Sequence, residues 1–289
     1  MTETEKIAGM VQAILAAFAY GWIGVFAKLA YQEGVGAIEL LSYRFGLSAL
    51  FLWVFSLIFE RRTIFCKPSH LPVVLAMGVL GYATMSLSYF YALRFISASL
   101  AALILSLMPS TTTLLARFFF KEPFTLRKIF ALLVTFTGAC LIIGFQVGYI
   151  DWRGILCVLF AVFVSALYSI MGQRIMKTTP PETVNLYVIT AAGLVFLFFH
   201  NPLSLFHGSP SWEAILITLL LIFVSTLPPM FLFLAAIEKI GSARTMMLGC
   251  GEPLMAVVAA YLVLGERLAP LQILGGTAII AGFFLVRRI

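Results

Sequence analysis

Residues 96–122 read ISASLAALILSLMPSTTTLLARFFFKE, and residues 240–266 read IGSARTMMLGCGEPLMAVVAAYLVLGE. A constant step of 144 positions relates Ile96 to Ile240, Pro109 to Pro253, Ala116 to Ala260 and Glu122 to Glu266. The step carries on without a gap to Ile129 and Ile273 and to Gly138 and Gly282. Each copy opens on small residues, runs through an apolar helix with a proline near its middle, and ends in a short turn holding a glutamate. An internal repeat of this kind decides the architecture before single residues are weighed. Proline-interrupted apolar segments at matching places of two halves also point to where a binding site forms.

Composition gives the class. Hydrophobic residues make up 62% of the 289, charged residues only 11%, and the mean hydropathy is +1.06. A soluble domain averages roughly 45–50% apolar and about 25% charged residues. A chain this apolar is an all-α membrane protein, and its length suits about ten spans of roughly 20 residues. The runs fall near 9–30, 38–59, 71–93, 98–120, 127–146, 154–176, 184–200, 213–237, 243–264 and 270–287. Turn-forming pieces separate them, among them GVGA at 34–37, KPSH at 67–70, TTPPET at 178–183 and HGSP at 207–210. The N-terminal MTETEKIAG lacks a basic stretch and a cleavage site, so the first run is expected to stay as a helix.

The net charge of +7 does not point to nucleic acid, because the basic residues cluster at the ends of the runs. With a cytoplasmic N-terminus, fourteen of them face the cytoplasm: Lys6, Arg61, Arg62, Lys67, Arg117, Lys121, Arg127, Lys128, Arg174, Lys177, Lys239, Arg244, Arg287 and Arg288. Only Lys28, Arg94, Arg153 and Arg267 fall on the other side. That bias predicts both termini in the cytoplasm. The repeat unit is then five spans, an odd number, so the second half enters the membrane from the opposite side. The expected fold is ten transmembrane helices as two inverted five-helix repeats, residues 1–148 and 149–289. Tyr43 pairs with Tyr187, YALRFI at 91–96 with AAIEKI at 235–240, and Gly9 with Gly154 after a one-residue shift.

Several pieces together carry a family likeness: LSYRFGLSAL at 41–50, YALRFISAS at 91–99, the proline and KE turn of 109–122, and EP, LGERL, a glutamine and a glycine in order across 252–276. Over essentially its whole length the chain resembles ten-helix EamA-type transporters of the drug/metabolite transporter superfamily. The resemblance implies a carrier for small organic metabolites, with export of an amino acid as the preferred branch, in the bacterial inner membrane. The chain departs from the pattern at Lys121, where the second copy has Gly265, and at the double proline Pro228-Pro229.

Three prolines, Pro109, Pro228 and Pro253, are expected helix breaks, since proline cannot donate its backbone hydrogen bond. A small polar stripe runs along each proline helix: Ser99, Ala102, Ser106, Pro109 and Thr113 on one, Thr245, Gly249, Glu252 and Ala256 on the other. Such a stripe serves close helix packing or a watered path, and the sequence favours neither. Glu252 is the one carboxylate deep in a span. Burying it there costs roughly 2.5–3.5 kcal/mol unless it is protonated or faces water, which makes it the candidate for proton coupling. Arg44, also inside a span, is a candidate partner for a cargo carboxylate, or else a structural residue that snorkels outward or pairs with Glu39 or another helix. Polar and aromatic residues within spans turn towards protein, so Tyr20, Trp22, Tyr82, Ser86, Tyr89, Ser106, Tyr168 and Thr226 are expected to line one central cavity. The isolated His70, His200 and His207 and the scattered cysteines Cys66, Cys140, Cys157 and Cys250 lack ligand spacing, so neither a metal nor a cofactor is expected. The expected partners are the lipid bilayer, a small-molecule substrate and protons. No hydrolase, metalloprotease or nucleotide-loop motif occurs, so the alternatives to a carrier are a passive channel and, further off, a polytopic membrane enzyme.

Overall fold

The structure is a computed structural model that describes residues 3–120, 126–144, 151–207, 210–249 and 251–287. It is all-helical among these residues. The chain runs through α1 (Glu3–Gly21), α2 (Ile23–Gln32), α3 (Ala37–Phe59), α4 (Leu71–Ala76), α5 (Thr84–Ala92), α6 (Ala98–Leu105), α7 (Met108–Phe120) and α8 (Leu126–Gly144). It continues through α9 (Trp152–Ile175), α10 (Pro181–Phe199), the short α11 (Ser204–His207), α12 (Trp212–Phe223), α13 (Leu227–Gly249), α14 (Glu252–Leu264) and α15 (Pro270–Arg287). A 3₁₀ turn covers Arg61–Ile64, and a π-helical stretch, Met77–Ala83, joins α4 to α5.

Among the described residues seven helical segments are long and apolar enough to cross a membrane: Glu3–Gln32, Ala37–Phe59, Leu71–Ala92, Ala98–Leu115, Trp152–Gly172, Pro181–Phe199 and Trp212–Phe233. Three shorter apolar helices, Leu132–Leu141, Glu252–Leu264 and Pro270–Gly282, fall on the fifth, ninth and tenth apolar runs. Large apolar side chains such as Phe198, at 87% exposure, and Leu262, at 70%, face outward. Lipid solvates such a surface. The protein is a multi-pass integral membrane protein.

Helix ends follow local chemistry. Ser97, Asp151 and Ser211 accept hydrogen bonds from the backbone N–H of Leu100, Arg153 and Ala214 and so cap α6, α9 and α12. Pro181 and Pro270 open α10 and α15 at the first position, where the missing N–H is harmless. Gly265 ends α14 at a φ of +65°, a conformation that glycine adopts without strain.

The three break prolines also sit in first turns. The chain turns at Ser106–Leu107, and Pro109 is the second residue of α7. It turns at Val224–Thr226, and Pro228 is the second residue of α13. Pro253 is the second residue of α14. One boundary differs from the reading of the apolar runs, which divides the eighth from the ninth near residue 240. There α13 is continuous through Gly241, and the divisions come at Val224–Thr226 and at Gly251. A single glycine weakens a helix by about 1 kcal/mol without ending it, whereas the double proline can only begin one.

The two copies of the repeat pack on each other in matching ways. Helices α3 and α10 begin 144 residues apart, as do α8 and α15, and each pair packs together. Likewise α1 packs on α14 as α9 packs on α7. Glycines mark the reciprocal contacts. A Cβ on Gly9 would lie 2.7 Å from Ile240 Cγ2 and 2.9 Å from Lys239 Cβ. One on Gly154 would lie 2.7 Å from Ile96 Cγ2 and 3.1 Å from Phe95 Cβ, the same two residues one repeat earlier.

Two other glycines admit no relief, because backbone faces them. A methyl on Gly78 would sit 2.7 Å from the Val188 carbonyl oxygen, and one on Gly138 2.6 Å from that of Gly275. Gly78→Ala and Gly138→Ala should each lower stability by about 1–3 kcal/mol, the usual cost of overpacking. Gly249, which meets nothing within 4 Å, should accept alanine without loss. Thermal unfolding in detergent distinguishes these outcomes.

Candidate functional site

The first spanning segment is broken at Trp22, between α1 and α2. The break lies against the start of α14: a Cβ on Gly21 would be 2.8 Å from Met255 Cβ and 3.0 Å from the carbonyl oxygen of Glu252. Tyr20 and Glu252 are thereby brought into one electrostatic group, which also holds Tyr82, Tyr168 and Arg44. The rings of Tyr82 and Tyr168 lie 5.7 Å apart, and Phe45 packs edge-on to Tyr82 at 5.4 Å. Tyr82 projects from the π-helical stretch. Extra residues of this kind re-aim side chains and recur at functional sites. Gly81, beside it, leaves room for the Tyr168 ring, which a Cβ would meet at 2.9 Å.

Arg44 is the cation of the group. It is only 4% exposed. Its Nε donates to Thr226 Oγ1 at 2.9 Å, and the Thr226 hydroxyl donates in turn to the Leu221 carbonyl at 2.8 Å. Its guanidinium lies 5.1 and 5.3 Å from the ring centroids of Phe45 and Phe90. Tyr82, Tyr20 and Tyr89 surround it electrostatically. It neither snorkels nor pairs with Glu39, whose oxygens are held by Tyr43 and Gly36. Among the described residues Arg44 has no carboxylate partner. Cation–π contacts and one hydroxyl offset only part of the cost of a buried guanidinium.

The remaining sequence-derived candidates divide. Tyr89 stands within the electrostatic reach of Glu252, Glu266 and Arg44, with its hydroxyl against Gly24, where a Cβ would come within 3.1 Å. Ser86 is buried on the same helix. Glu252 is the half-buried first residue of α14 and accepts no hydrogen bond from a described residue. Trp22 stacks on Phe26 at 5.6 Å instead of joining the tyrosines. Ser106 turns its hydroxyl back to the Leu103 carbonyl at 2.5 Å, at the C-terminal end of α6. Pro109, Pro228 and Pro253 begin helices at the breaks. No group of three metal-ligating side chains occurs among the described residues.

Sequence reasoning passed over Glu266. Its carboxylate accepts from the backbone N–H of Ala98 at 2.8 Å, from that of Ser99 at 2.9 Å and from the Ser99 hydroxyl at 2.7 Å. The end of the second copy thus closes the helix start of the first. A carboxylate at that place meets unpaired N–H groups and the positive end of the helix dipole. Lys28 and Tyr89 share its field. The signal was present in the repeat, where a glutamate recurs in both turns. Its partner in the first copy, Glu122, lies outside the described residues.

Removing this carboxylate strands two backbone donors and a hydroxyl, each worth about 1–3 kcal/mol if buried unpaired. Glu266→Ala should therefore lower the unfolding temperature clearly. Glu266→Gln should fall between it and the parent, since an amide oxygen still accepts but carries no charge. Ser99→Ala, which keeps both backbone bonds, should cost least. Thermal unfolding of the purified series checks the order.

Comparison with known proteins agrees with this architecture. The sequence profile of the EamA-like transporter family matches twice, over residues 7–144 and 152–288. An uncharacterized transporter of Bacillus subtilis, YdfC, is 24% identical over 90% of this chain and 85% of its own. A probable amino-acid metabolite efflux pump of Salmonella typhimurium is 26% identical over 68% of this chain and 70% of its own. The threonine/homoserine exporter RhtA of Escherichia coli is 30% identical, over 48% of this chain and 46% of its own. A protein crystal structure of 15% identity superposes with a TM-score of 0.67, covering 96% of this chain and 95% of that one.

Proposed function

The chain belongs to the EamA-like transporter family, and from that premise we propose that it is a secondary carrier exporting a small amino acid across the bacterial inner membrane by alternating access. It is a membrane transporter of small metabolites by family and not an enzyme. The halves, 1–148 and 149–289, act as inverted five-helix repeats around the Tyr20, Tyr82 and Tyr168 cluster, with both termini in the cytoplasm. Reciprocal packing of the two copies supports the two-half reading. The names of the efflux pump and exporter relatives support export.

One observation carries the cargo class: among the described residues a buried Arg44 has no carboxylate partner, and Glu252, a carboxylate in the same group of side chains, has no donor. A zwitterion answers both. Its carboxylate neutralises Arg44, its ammonium binds Glu252, and the tyrosine rings enclose its side chain. The same carboxylate cannot hold a proton and an ammonium at once. Binding of cargo on one side and of a proton on the other therefore gives exchange. Such competition links the two faces because a ligand shifts a conformational equilibrium only through unequal affinity for its states.

Two measurements test this. In proteoliposomes, Glu252→Gln should abolish accumulation driven by a pH gradient while sparing exchange of labelled for unlabelled amino acid at equal pH. Unchanged accumulation would make Glu252 structural and the protein a facilitator or a carrier coupled elsewhere. For orientation, a cysteine at Asn201 should react with a membrane-impermeant maleimide added outside intact cells, and one at Ser69 should not. The reverse pattern would sink the assignment of cytoplasmic termini.

A further inference from the structure

A cavity lies apart from the tyrosine cluster. Its volume is about 670 Å³, and its walls come from the start of α3, from α5, α9 and the end of α10. On α5 it uses Leu87, Tyr91 and the following Arg94. Tyr82, Ser86 and Tyr89, also spaced at four and three residues, occupy a different face of that segment. The cavity and the tyrosine cluster therefore share a helix but not a face of it. Ile38, Leu87, Tyr91 and Phe199 are exposed, so the cleft opens sideways onto the surface that meets lipid.

Its polar groups are of opposite sign. Arg94 is exposed, lies 5.8 Å from the Tyr91 ring and makes no ion pair among the described residues. Glu39 is fixed in place: the Tyr43 hydroxyl donates to Oε1 at 2.6 Å, and the Gly36 N–H donates to Oε2 at 3.2 Å. His200 Nε2 stands 3.7 Å from Oε1 and shares a hydrogen bond with Ser204 Oγ at 2.8 Å. The Glu39 side chain remains 33% exposed. A carboxylate has about four acceptor positions, so Glu39 keeps capacity for a further donor. An oriented carboxylate and an open guanidinium in one apolar-walled cleft fit a molecule that carries an anion and an N–H-bearing cation on an apolar body.

We propose that this cleft binds one zwitterionic glycerophospholipid with a primary ammonium headgroup, its phosphate on Arg94 and its ammonium on Glu39. Guanidinium matches phosphate geometry through paired N–H donors. The cavity holds the headgroup and glycerol, and the acyl chains continue along exposed Leu87 and Phe199. A quaternary ammonium brings no N–H to Glu39, and an anionic headgroup leaves Glu39 facing like charge. Selectivity should therefore favour phosphatidylethanolamine over phosphatidylcholine and phosphatidylglycerol.

Cys157 lines the same cleft and is half-buried, so its thiol reports occupancy. The full chain in detergent is treated with N-ethylmaleimide, and modification at Cys157 is followed by peptide mass spectrometry. Phosphatidylethanolamine at about four times its dissociation constant should slow the reaction about five-fold, as mass action requires. The other two lipids at equal concentration should slow it little. Glu39→Gln and Arg94→Gln should each remove the protection, and Arg94→Lys should restore part of it. Arg94 is exposed, so its variants test the site even if Glu39→Gln fails to fold. Equal protection by all three lipids, protection by none, or protection retained in Arg94→Gln overturns the proposal. So does equal protection by water-soluble glycerophosphoethanolamine, which would make the occupant a free zwitterion.

Discussion

A break in a spanning helix leaves backbone donors and acceptors without partners in a medium that supplies none, and this constraint governs the structure. Each unsatisfied group costs several kcal/mol in hydrocarbon, so irregular backbone survives only where protein or enclosed water pairs it. The chain breaks its spans at Trp22, at Ser106–Leu107, at Val224–Thr226 and at Gly251, and passes from one span to the next at Leu93–Ser97. All of these places but Trp22, which has no side-chain cap, carry their own repair. Prolines open the following helix at three of them. Ser97 caps α6 from within its own turn. Glu266 reaches the same helix start from the other half of the molecule. The Thr226 hydroxyl satisfies the Leu221 carbonyl left by the end of α12.

Those repairs place the chemistry. The Thr226 hydroxyl that mends the break before α13 also receives Arg44. The Trp22 break seats Gly21 on the first turn of α14 and so sets Tyr20 beside Glu252. The Glu266 carboxylate at the start of α6 shares a field with Tyr89, which reaches the central group. Polar side chains therefore gather where backbone polar groups have already been admitted. One desolvation cost covers both, and the apolar surface elsewhere is left free for lipid.

Much of this was legible in the sequence. The step of 144 residues gives matching starts for α3 and α10 and for α8 and α15. Intramembrane tyrosines, Arg44 and Glu252 were legible as a group because buried polar residues in hydrocarbon converge on protein. What stayed hidden was contact between halves. The cap of Glu266 on Ala98 joins residues 168 apart, and no local pattern announces a pairing at that distance. Trp22 and Ser106 shared the composition of cavity residues, yet Trp22 packs on Phe26 and Ser106 mends its own helix end. Composition does not reveal which way a side chain turns. The lateral cleft was equally hidden, since Glu39, Arg94 and His200 read singly as helix-end residues.

The continuity of α13 adds one further step. Phe95–Ile96 lies in a turn between α5 and α6, while its repeat counterpart Lys239–Ile240 lies within a continuous helix. Both nevertheless pack on a glycine of the opposite half, Gly154 in one case and Gly9 in the other. The same side-chain contact is thus kept around two different backbone conformations of one repeated sequence. A contact indifferent to the conformation of its segment can serve as a pivot, because it holds the halves together while the backbone beside it changes. The alternating access proposed above would call for contacts of this kind and for a repeated unit stable in more than one form. Glycine suits the position, since a Cβ at Gly9 or Gly154 would come within 2.7 Å of the isoleucine and force the packed segments to shift. The asymmetry of the two copies and the symmetry of their glycine contacts are the features on which the proposed alternating-access reading would draw.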